Sequence, residues 1–590
     1  MGVVFLIQSA VAEEIRKVYG IELLPDAVLI NETKPEFEGD YTVLLFGLTK
    51  ELRKAPDVIG KELGLQLQKN HPLLIASYNV IKGFLNITIS DQYWLQFVAL
   101  NFGNTTYGAQ PALGRKVVVE YASPNTNKPL HLGHLRNIFL GWSISAIFKA
   151  AGYDVKKTSI ANDRGIHICK SMVAWKMFAN GETPSTKNTK GDHLVGDYYV
   201  RFGQEHKKQV KQLVDMGMSE EEAEKEAPIM QAAQKMLVDW ESGDPEVMEL
   251  WRTMNGWVYE GFEETYRKIG ADFDKTYYES EVYLLGKQMI EEGLKKQVFT
   301  RKDDGSVWID LTGDGLDEKI VQRRDGTAVY ITQDIGLAAL KQKEFGADLS
   351  IYVVGNEQDY HFKVLRLIAE KLKIEGASGI HHLSYGMVEL PSGRMKTREG
   401  TVVDADEIIV EMEEISAKHT MELGKVNDFT TEELKNLYNI IGLGALKFFL
   451  LRVDPKKKML FNPEESIEFH GFTGPFIQYT YARTRSILRR ELPVNEKVGD
   501  TLLPAEKKII IELEKFPLTI AQAAEEMNPS IIASYVFRLA QGFNSFLTEL
   551  KVLTAESEEK KELRLQISQF TANVIREAMT LLGIRVPERM

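Results

Sequence analysis

Hydrophobic and polar positions follow different periods along the chain, and the pattern changes near residue 116. The segment KVVVEY, from Lys116, predicts a buried strand, and LRNIFLGWSISAIFKAAG has helical spacing that stops at Gly152. Strand and helix patterns then alternate through VKKTSIAND, through TAVYITQD with IGLAALKQKEFG, and through LSIYVVG with HFKVLRLIAEKLKI. This alternation predicts an α/β, doubly wound parallel sheet with crossover helices, a Rossmann-like arrangement that binds nucleotides.

The patterns differ on either side of this region. Residues 1–110 mix short helical and strand patterns, which predicts a separate α+β domain. Within a catalytic domain of residues 115–390, charged helical sequence at about 170–265 predicts a helical insertion. Residues 391–464 would connect this domain to residues 465–590, whose long helical patterns predict an all-α bundle.

Composition and charge narrow the classes of function. The net charge of -12 disfavours a generic polyanion binder. The basic run at residues 456–458 and the pair Arg485 and Arg489 would either bind nucleic acid locally or form solvated faces. The only cysteine, Cys169, excludes an internal disulfide and a cysteine-based zinc cluster, so we expect a cytoplasmic protein. No segment predicts a membrane span or a secretory signal.

The stretch SPNTNKPLHLGHLRN, at residues 123–137, carries the clearest candidate chemistry. His131 and His134 are predicted on one face of a first helical turn, with Pro129 near the helix start. A helix N-terminus favours anions, Gly133 lets a flat ligand approach the backbone, and imidazoles hydrogen-bond phosphate oxygens. The arrangement suits a triphosphate, although histidines that only cap the helix, or half of a metal site, would have the same spacing.

Longer segments resemble a known family. HLGH after a strand resembles the HIGH motif of class I aminoacyl-tRNA synthetases, and EYASPNTNKPLHLGHLRN is similar to its form in arginyl-tRNA synthetases. GRMKTREGTVV resembles that family's KMSKS-type loop, and YITQD and GNEQDYHF resemble its substrate-pocket segments. HGFTGPFIQYTYARTRS and LGIRVPERM resemble its helical anticodon-binding (DALR) domain, and PEFEGDYTV and GFLNITIS resemble its extra N-terminal domain, which implies contact with the outer corner of tRNA.

The resemblance implies an arginine-tRNA ligase, which activates L-arginine with ATP and transfers it to the 3′ end of tRNA(Arg) without editing. Mg²⁺ would accompany ATP and pyrophosphate, and we expect a monomer with no membrane contact and no metal site of its own. Arginine binding is carried over to Glu120, Ser123, Asn125, Tyr330, Asp334 and Gln358. ATP binding is carried over to His131, Gly133, His134, Met387, Val388 and Met395. Catalysis is carried over to His131, His134, Lys128, Arg394 and Lys396.

The chemistry of a guanidinium group favours the same pocket. A guanidinium needs carboxylates that accept forked hydrogen bonds and a wall that fixes its plane. Glu120 closes the first strand, Tyr330 and Asp334 are predicted across a strand-to-helix turn, and Gln358 follows the next strand. All four are predicted to face the crevice at the carboxyl edge of the sheet. Each carboxylate taken alone is more typical of a protein surface than of a binding site.

The KMSKS-type loop departs from the family's pattern. Arg394 replaces the first lysine, Lys396 takes the serine position, and Glu399 adds a negative charge. Family members that lack the second loop lysine have one just before the HIGH motif, and Lys128 matches that position. Which of Lys128, Arg394 and Lys396 holds the triphosphate therefore stays open.

Three other functions are compatible with parts of the sequence. A class I synthetase for glutamate or lysine is disfavoured by TGPFIQYTYARTRS and by the paired acidic pocket. A non-catalytic RNA-binding relative would not need both histidines and Gly133, and a generic nucleotidyltransferase would not need the C-terminal helices.

Overall fold

The computed structural model describes residues 2–327, 329–389, 403–422, 428–494 and 499–590. The strands in these ranges are β1 Ile30–Glu32, β2 Tyr41–Leu44, β3 Ile75–Ile81, β4 Phe84–Ile89, β5 Lys116–Glu120, β6 Asp154–Ala161, β7 Lys275–Tyr278, β8 Thr300–Arg301, β9 Val307–Ile309, β10 Lys319–Gln322, β11 Leu349–Gly355, β12 Ile380–Tyr385, β13 Val388–Glu389 and β14 Met459–Leu460.

The α-helices in the same ranges are α1 Val3–Tyr19, α2 Phe46–Leu52, α3 Pro56–Asn70, α4 Asp91–Asn101, α5 Leu132–Ala150, α6 Ile166–Phe178, α7 Pro184–Lys187, α8 Gly191–Asp215, α9 Glu220–Glu226, α10 Pro228–Glu241, α11 Pro245–Ile269, α12 Glu279–Val282, α13 Leu285–Lys295, α14 Tyr330–Phe345, α15 Asp359–Lys371, α16 Ala405–Glu422, α17 Thr431–Leu451, α18 Pro463–Ser466, α19 Gly474–Leu488, α20 Pro504–Glu514, α21 Phe516–Glu525, α22 Pro529–Glu549 and α23 Glu558–Leu581.

A five-stranded parallel sheet of order β12-β11-β5-β6-β7 forms the middle of the molecule. Strand β5 is central and buried, as its run of valines predicts. The N-terminal strands form an antiparallel sheet of order β1-β2-β4-β3, and helices α19 to α23 pack together as the C-terminal bundle. The α/β fold class, with an α+β N-terminal part and an all-α C-terminal part, is confirmed.

One predicted strand is wrong. TAVYITQD predicts a strand before a helix, but residues 330–334 form the first turn of α14. The alternating apolar residues Val329 and Ile331 pack below the small antiparallel sheet of order β10-β9-β8, in a cluster with Val321 and Ile335. A short apolar run fits a buried strand and a buried helix start equally well, so the pattern alone could not decide.

The N-terminus of helix α5 lies at the carboxyl edge of the sheet, and its body packs on β5, β6 and β11 and on the C-terminal helices α21 to α23. Its side chains are buried on every face, Ser143 donates to the carbonyl of Leu581 at 2.8 Å, and Trp142 lies beside Gly583. Helix α5 thus joins the sheet to the C-terminal helices.

Helix α17 has the length and composition of a membrane span, but 67% of its apolar window is buried inside the protein. It packs on α5, α16 and α19, as the core helix of a folded protein does. The end of the chain runs along this region: Lys447 donates to the carbonyl of Gly583 at 2.6 Å, Arg485 pairs with Glu588 at 2.7 Å, and Arg489 donates to the carbonyl of Glu588 at 2.6 Å. The two arginines are thereby engaged within the fold.

Candidate active site at the carboxyl edge of the sheet

The histidine pair closes the first turn of α5 with its own backbone. His131 is the N-cap, and its Nδ1 accepts the backbone N–H of Gly133 at 3.2 Å. In return, the Nδ1 of His134 accepts the backbone N–H of His131 at 3.1 Å. The two rings lie 3.8 Å apart between centroids. This reciprocal capping fixes both imidazoles at the positive end of a helix dipole.

The capping bonds also decide the protonation of the two rings. Because each Nδ1 accepts a hydrogen bond, the ring proton of a neutral imidazole is on Nε2 and is free to be donated outward. Burial and the neighbouring charge of Lys128 lower the pKa of His131 to about 4, and burial holds the pKa of His134 well below its usual value. Two neutral N–H donors therefore stand at a helix N-terminus, as phosphate binding requires.

The absence of a side chain at Gly133 makes room for the ring of His131, in addition to any effect on ligand binding. A Cβ at this position would lie 3.1 Å from Cε1 and 3.2 Å from Nδ1 of His131, so the folded-back ring leaves little room for a side chain. Lys128 is half-buried just before the helix, and burial lowers its pKa. Its charge influences both rings, which places Lys128 close to the histidine pair.

The segment between β5 and α5 is held by backbone bonds. Asn125 forms an isolated parallel bridge with Asn162, and the Nδ2 of Asn162 donates to the carbonyl of Ser123 at 3.1 Å. Ala122 has a φ of 58°, which is unusual for a residue with a side chain. The Oδ1 of Asn137 accepts the N–H of Ala122 at 2.7 Å and stabilises this conformation. Ser123 and Asn125 thus follow a strained residue at the sheet edge.

Glu120 is buried at the end of β5, and its carboxylate binds the ammonium of Lys341 from α14. Lys341 is itself buried and lies 4.6 Å from the centre of the Tyr352 ring. The sequence did not indicate this partner, which is 221 residues away along the chain. Glu120 is therefore a buried, charge-paired carboxylate.

Asp334 and Tyr330 lie one turn apart on α14, so that both project from the same side of the helix. The carboxylate of Asp334 contacts Nε2 of His361, at the start of α15, at 2.6 Å. Tyr330 is 76% exposed, and Gln358 is exposed in a short 3-10 helix after β11. Tyr330 and Gln358 are thus accessible to solvent, whereas Asp334 is paired with His361.

Two further carboxylates at this edge were missed in the sequence. Asp163 follows β6 and accepts hydrogen bonds from the hydroxyls of Tyr259 and Ser280 at 2.8 and 2.7 Å. Glu279 follows β7; burial raises its pKa to about 7, Arg164 opposes the rise, and Asp163 and Asp334 add to it. Their positions directly after strands were the available signal, because carboxyl ends of parallel strands share one edge.

The histidine helix also meets both sides of the KMSKS-type loop. Residues 386–389 lead into it, with Met387 partly exposed and Val388 buried. On the other side, the backbone N–H of Leu132 donates to Val403 at 3.3 Å, and that of Ala405 donates to Leu130 at 2.9 Å. The predicted residues Arg394, Met395 and Lys396 lie outside the described residues.

A charged cluster fixes the segment after the loop. Lys190 binds Asp406 and lies 3.4 Å from Asp192, while Nε2 of His193 lies 3.2 Å from Asp404 and 3.5 Å from Asp406. The carboxylates raise the pKa of His193 to about 10. Asp192, His193 and Asp406 have the spacing of metal ligands, but the ammonium of Lys190 already supplies a cation there.

Comparisons with known proteins agree with this geometry. The family model for the catalytic domain of class I (R) tRNA synthetases matches residues 99–462, more than half of the chain. The arginyl-tRNA synthetase N-terminal domain matches residues 6–89, and the DALR anticodon binding domain matches residues 477–590.

Similar proteins extend over the full length. An arginine–tRNA ligase of Amoebophilus asiaticus is 50% identical over 100% of both chains, and one of Bacteroides thetaiotaomicron is 50% identical over 99% of both. The solved arginyl-tRNA synthetase of Thermus thermophilus has the same fold, with a TM-score of 0.79, 24% identity and 99% coverage of both chains. The histidine-capped helix, the carboxylates at the strand ends and these full-length matches lead to one conclusion: the chain belongs to the arginyl-tRNA synthetase family of class I tRNA synthetases.

Proposed function

We propose that this chain is an arginine-tRNA ligase, which activates L-arginine with ATP and transfers the arginyl group to the 3′ end of tRNA(Arg). The observation that carries the proposal is the reciprocal capping of His131 and His134, which leaves two neutral Nε2–H donors at a helix N-terminus. The full-length relatives named arginine–tRNA ligase support the choice of amino acid.

The proposed reaction needs positioning and charge stabilisation, without a side-chain nucleophile. The arginine carboxylate attacks the α-phosphorus of ATP in line, and pyrophosphate leaves. His131 and His134 donate to the oxygens on which negative charge grows, and Lys128, Arg394 and Lys396 are the candidate cations for the triphosphate. A ribose hydroxyl at the 3′ end of tRNA then attacks the arginyl carbonyl, and AMP leaves.

For arginine, we assign the guanidinium to Asp334 and Glu120, with Tyr330 as a wall, and the amino acid backbone to Ser123, Asn125 and Gln358. An uncharged or shorter amino acid would leave these carboxylates unmatched, which favours selection at the binding step and no editing. Adenosine would lie against Met387 and Val388, beside Gly133.

Magnesium would arrive on the phosphates of ATP, as part of the substrate. One carboxylate near the histidines is that of Asp404, a residue whose backbone forms an isolated bridge with His131. Its Oδ1 accepts the N–H of Asp406 at 2.7 Å and that of Glu407 at 3.3 Å, so this carboxylate caps α16. We further propose that the enzyme acts as a cytoplasmic monomer without a membrane partner.

The decisive experiment is aminoacylation of bulk tRNA with each of the radiolabelled amino acids in turn. Arginine alone should label tRNA, and the label should depend on ATP and Mg²⁺. Attachment of another amino acid, glutamate and lysine above all, would refute the assignment. In the same preparation, ATP-pyrophosphate exchange with arginine should require cognate tRNA, because the resemblance to this family implies it.

A further inference from the structure

Arg136, two residues after the second histidine, is completely buried, with 0% exposure. Its Nη1 donates to the carbonyl of Gly386 at 2.8 Å, and its Nη2 donates to the carbonyls of Pro455 and Lys457 at 3.1 and 2.9 Å. One guanidinium therefore holds two segments that are far apart in sequence. The role proposed above for the histidines makes no use of it.

The partners of Arg136 are unusual for a buried arginine. Arg564, which is equally buried, pairs with the carboxylates of Glu506 and Glu556. Within the described chain, no carboxylate lies at ion-pair distance from Arg136. Burial lowers its pKa to about 10, with partial compensation from Tyr385 and Asp454. A buried cation without a counter-ion is costly, and an apolar side chain would fill a purely structural position at lower cost.

The segments that Arg136 holds form one wall. Gly386 and Pro455 are joined by a backbone bond of 2.9 Å, and the paired strands β13 and β14 continue from them. A Cβ on Gly386 would lie 2.6 Å from both the carbonyl carbon and the carbonyl oxygen of Lys457, so the two backbones are in direct contact. The wall contains Met387 and Val388, the residues proposed to contact adenosine.

Helix geometry places Arg136 and His134 on different sides of α5. Two residues correspond to a rotation of about 200°. His134 is therefore available to phosphate while Arg136 holds the wall. The planar fork reaches carbonyls of both segments at once, which a single ammonium on a lysine matches poorly.

We propose that Arg136 is a positioning residue for ATP, which sets the spacing between the histidine pair and the wall formed by residues 386–388 and 455–457. The inference rests on the proposed function, since it assumes that the histidines bind phosphate and that the wall binds adenosine. ATP then behaves as a ligand with two linked halves, and its affinity depends on the distance between the half-sites.

The test compares ATP with its halves. We would measure direct ATP binding by equilibrium dialysis in Arg136→Lys, with inorganic tripolyphosphate and adenosine as competitors. The dissociation constant for ATP should rise about tenfold, whereas those of tripolyphosphate and adenosine should change less than about twofold, because each half-site is kept and only their spacing is lost. Equal weakening of ATP and of either half would overturn the proposal, as would unchanged ATP binding.

A matched control is Arg564→Lys, which alters an equally buried arginine far from ATP. This variant should have a lower melting temperature and unchanged ATP binding. If it bound ATP more weakly but tripolyphosphate and adenosine as before, a specific role for Arg136 would be refuted. If Arg136→Lys does not fold, Gly386→Ala can replace it, because the added methyl group forces the same two backbones apart. It should likewise weaken ATP binding more than the binding of tripolyphosphate or adenosine.

The amino acid is left out of these measurements, so they separate the inference from the proposed function. If the chain attached no arginine to tRNA and still bound ATP, the assignment of the amino acid substrate would fail. The affinities of Arg136→Lys for ATP, tripolyphosphate and adenosine would still decide the role of Arg136. In active enzyme, Arg136→Lys should raise the KM for ATP and leave the KM for arginine within about twofold.

Discussion

At the start of α5, His131 and His134 bind backbone N–H groups of their own helical turn, whereas Glu120 and Asp334 bind side chains from α14 and α15. The first arrangement is local and is complete without a substrate. The second is assembled across the fold, and Lys341 and His361 occupy the positions that a guanidinium would take in the proposed complex. In the proposed reaction, the phosphate end of the site would thus be preorganised, and the arginine end would exchange partners on binding.

The largest expected effect tests the buried pair at the arginine end. Lys341→Met leaves the Glu120 carboxylate buried without its partner, and the free energy of unfolding should fall by about 3–5 kcal/mol. The measurement is denaturant unfolding followed by circular dichroism. The double variant Lys341→Met/Glu120→Gln should recover part of the loss, and a fully additive loss would contradict the pairing. The exposed pair Lys225–Glu221 provides the control, since Lys225→Met should have no measurable effect.

At the phosphate end, His134→Ala removes one donor to the developing charge. The activation free energy for arginine activation should rise by about 3 kcal/mol, which lowers the rate roughly 150-fold. The dissociation constant for arginine should change little. Pre-steady-state quenched flow measures the activation rate. An unchanged rate would rule out the phosphate role. His206→Ala, on α8 in the insertion, is the matched control and should leave the rate unchanged.

Asp334→Asn should affect the arginine end of the site and leave the phosphate end unchanged. The change removes a negative charge next to the guanidinium, so arginine affinity should weaken by about 2 kcal/mol and ATP affinity should stay within about twofold. Isothermal titration with each substrate measures both. Equal losses for arginine and ATP would indicate misfolding or a different pocket. Asp310→Asn, in the exposed turn after β9, should change neither.

The smallest effect is the pH dependence of the rate. With a pKa of about 4, His131 stays neutral at pH 6 in about 99 of 100 molecules, so the activation rate should show no limb near pH 6.5 from this group. A limb at that pH, absent in His131→Gln, would contradict the burial argument.

Stability should change with pH in opposite senses for two histidines. The pKa of His131 is lower in the folded than in the unfolded protein. Its contribution to the free energy of unfolding is therefore present above about pH 6.5 and is lost as the pH falls towards 4. The folded pKa of His193 is raised to about 10, so its contribution is full below about pH 6.5 and is lost as the pH rises towards 10. Melting curves of His131→Gln and His193→Gln against pH measure the two slopes.

The same contrast explains what the sequence could predict. The strand KVVVEY, the following helix and the paired histidines are local patterns, and the structure has them at Lys116–Glu120 and Leu132–Ala150. The sequence predicts that Gly133 lets a ligand approach the backbone, but it did not indicate that the ring of His131 lies against this glycine.

The partners of the pocket could not be predicted in the same way. Nothing near Glu120 in the sequence points to Lys341, and His361 has no pattern that links it to Asp334. Such pairs depend on which helix faces which strand end, a property of the packed fold. TAVYITQD failed because its apolar residues are buried against the small sheet of β8 to β10, whose strands directly precede it along the chain.

The connections of α5 have a consequence for how the protein is made. A ribosome synthesises the chain from its amino end, and α5 emerges long before the C-terminal segments that pack on it. Lys457, which Arg136 holds, follows 321 residues later, and Leu581, which Ser143 holds, follows 438 residues later. Through most of translation, this apolar helix therefore lacks its final neighbours, and the nascent chain should be a client of chaperones that shield hydrophobic segments.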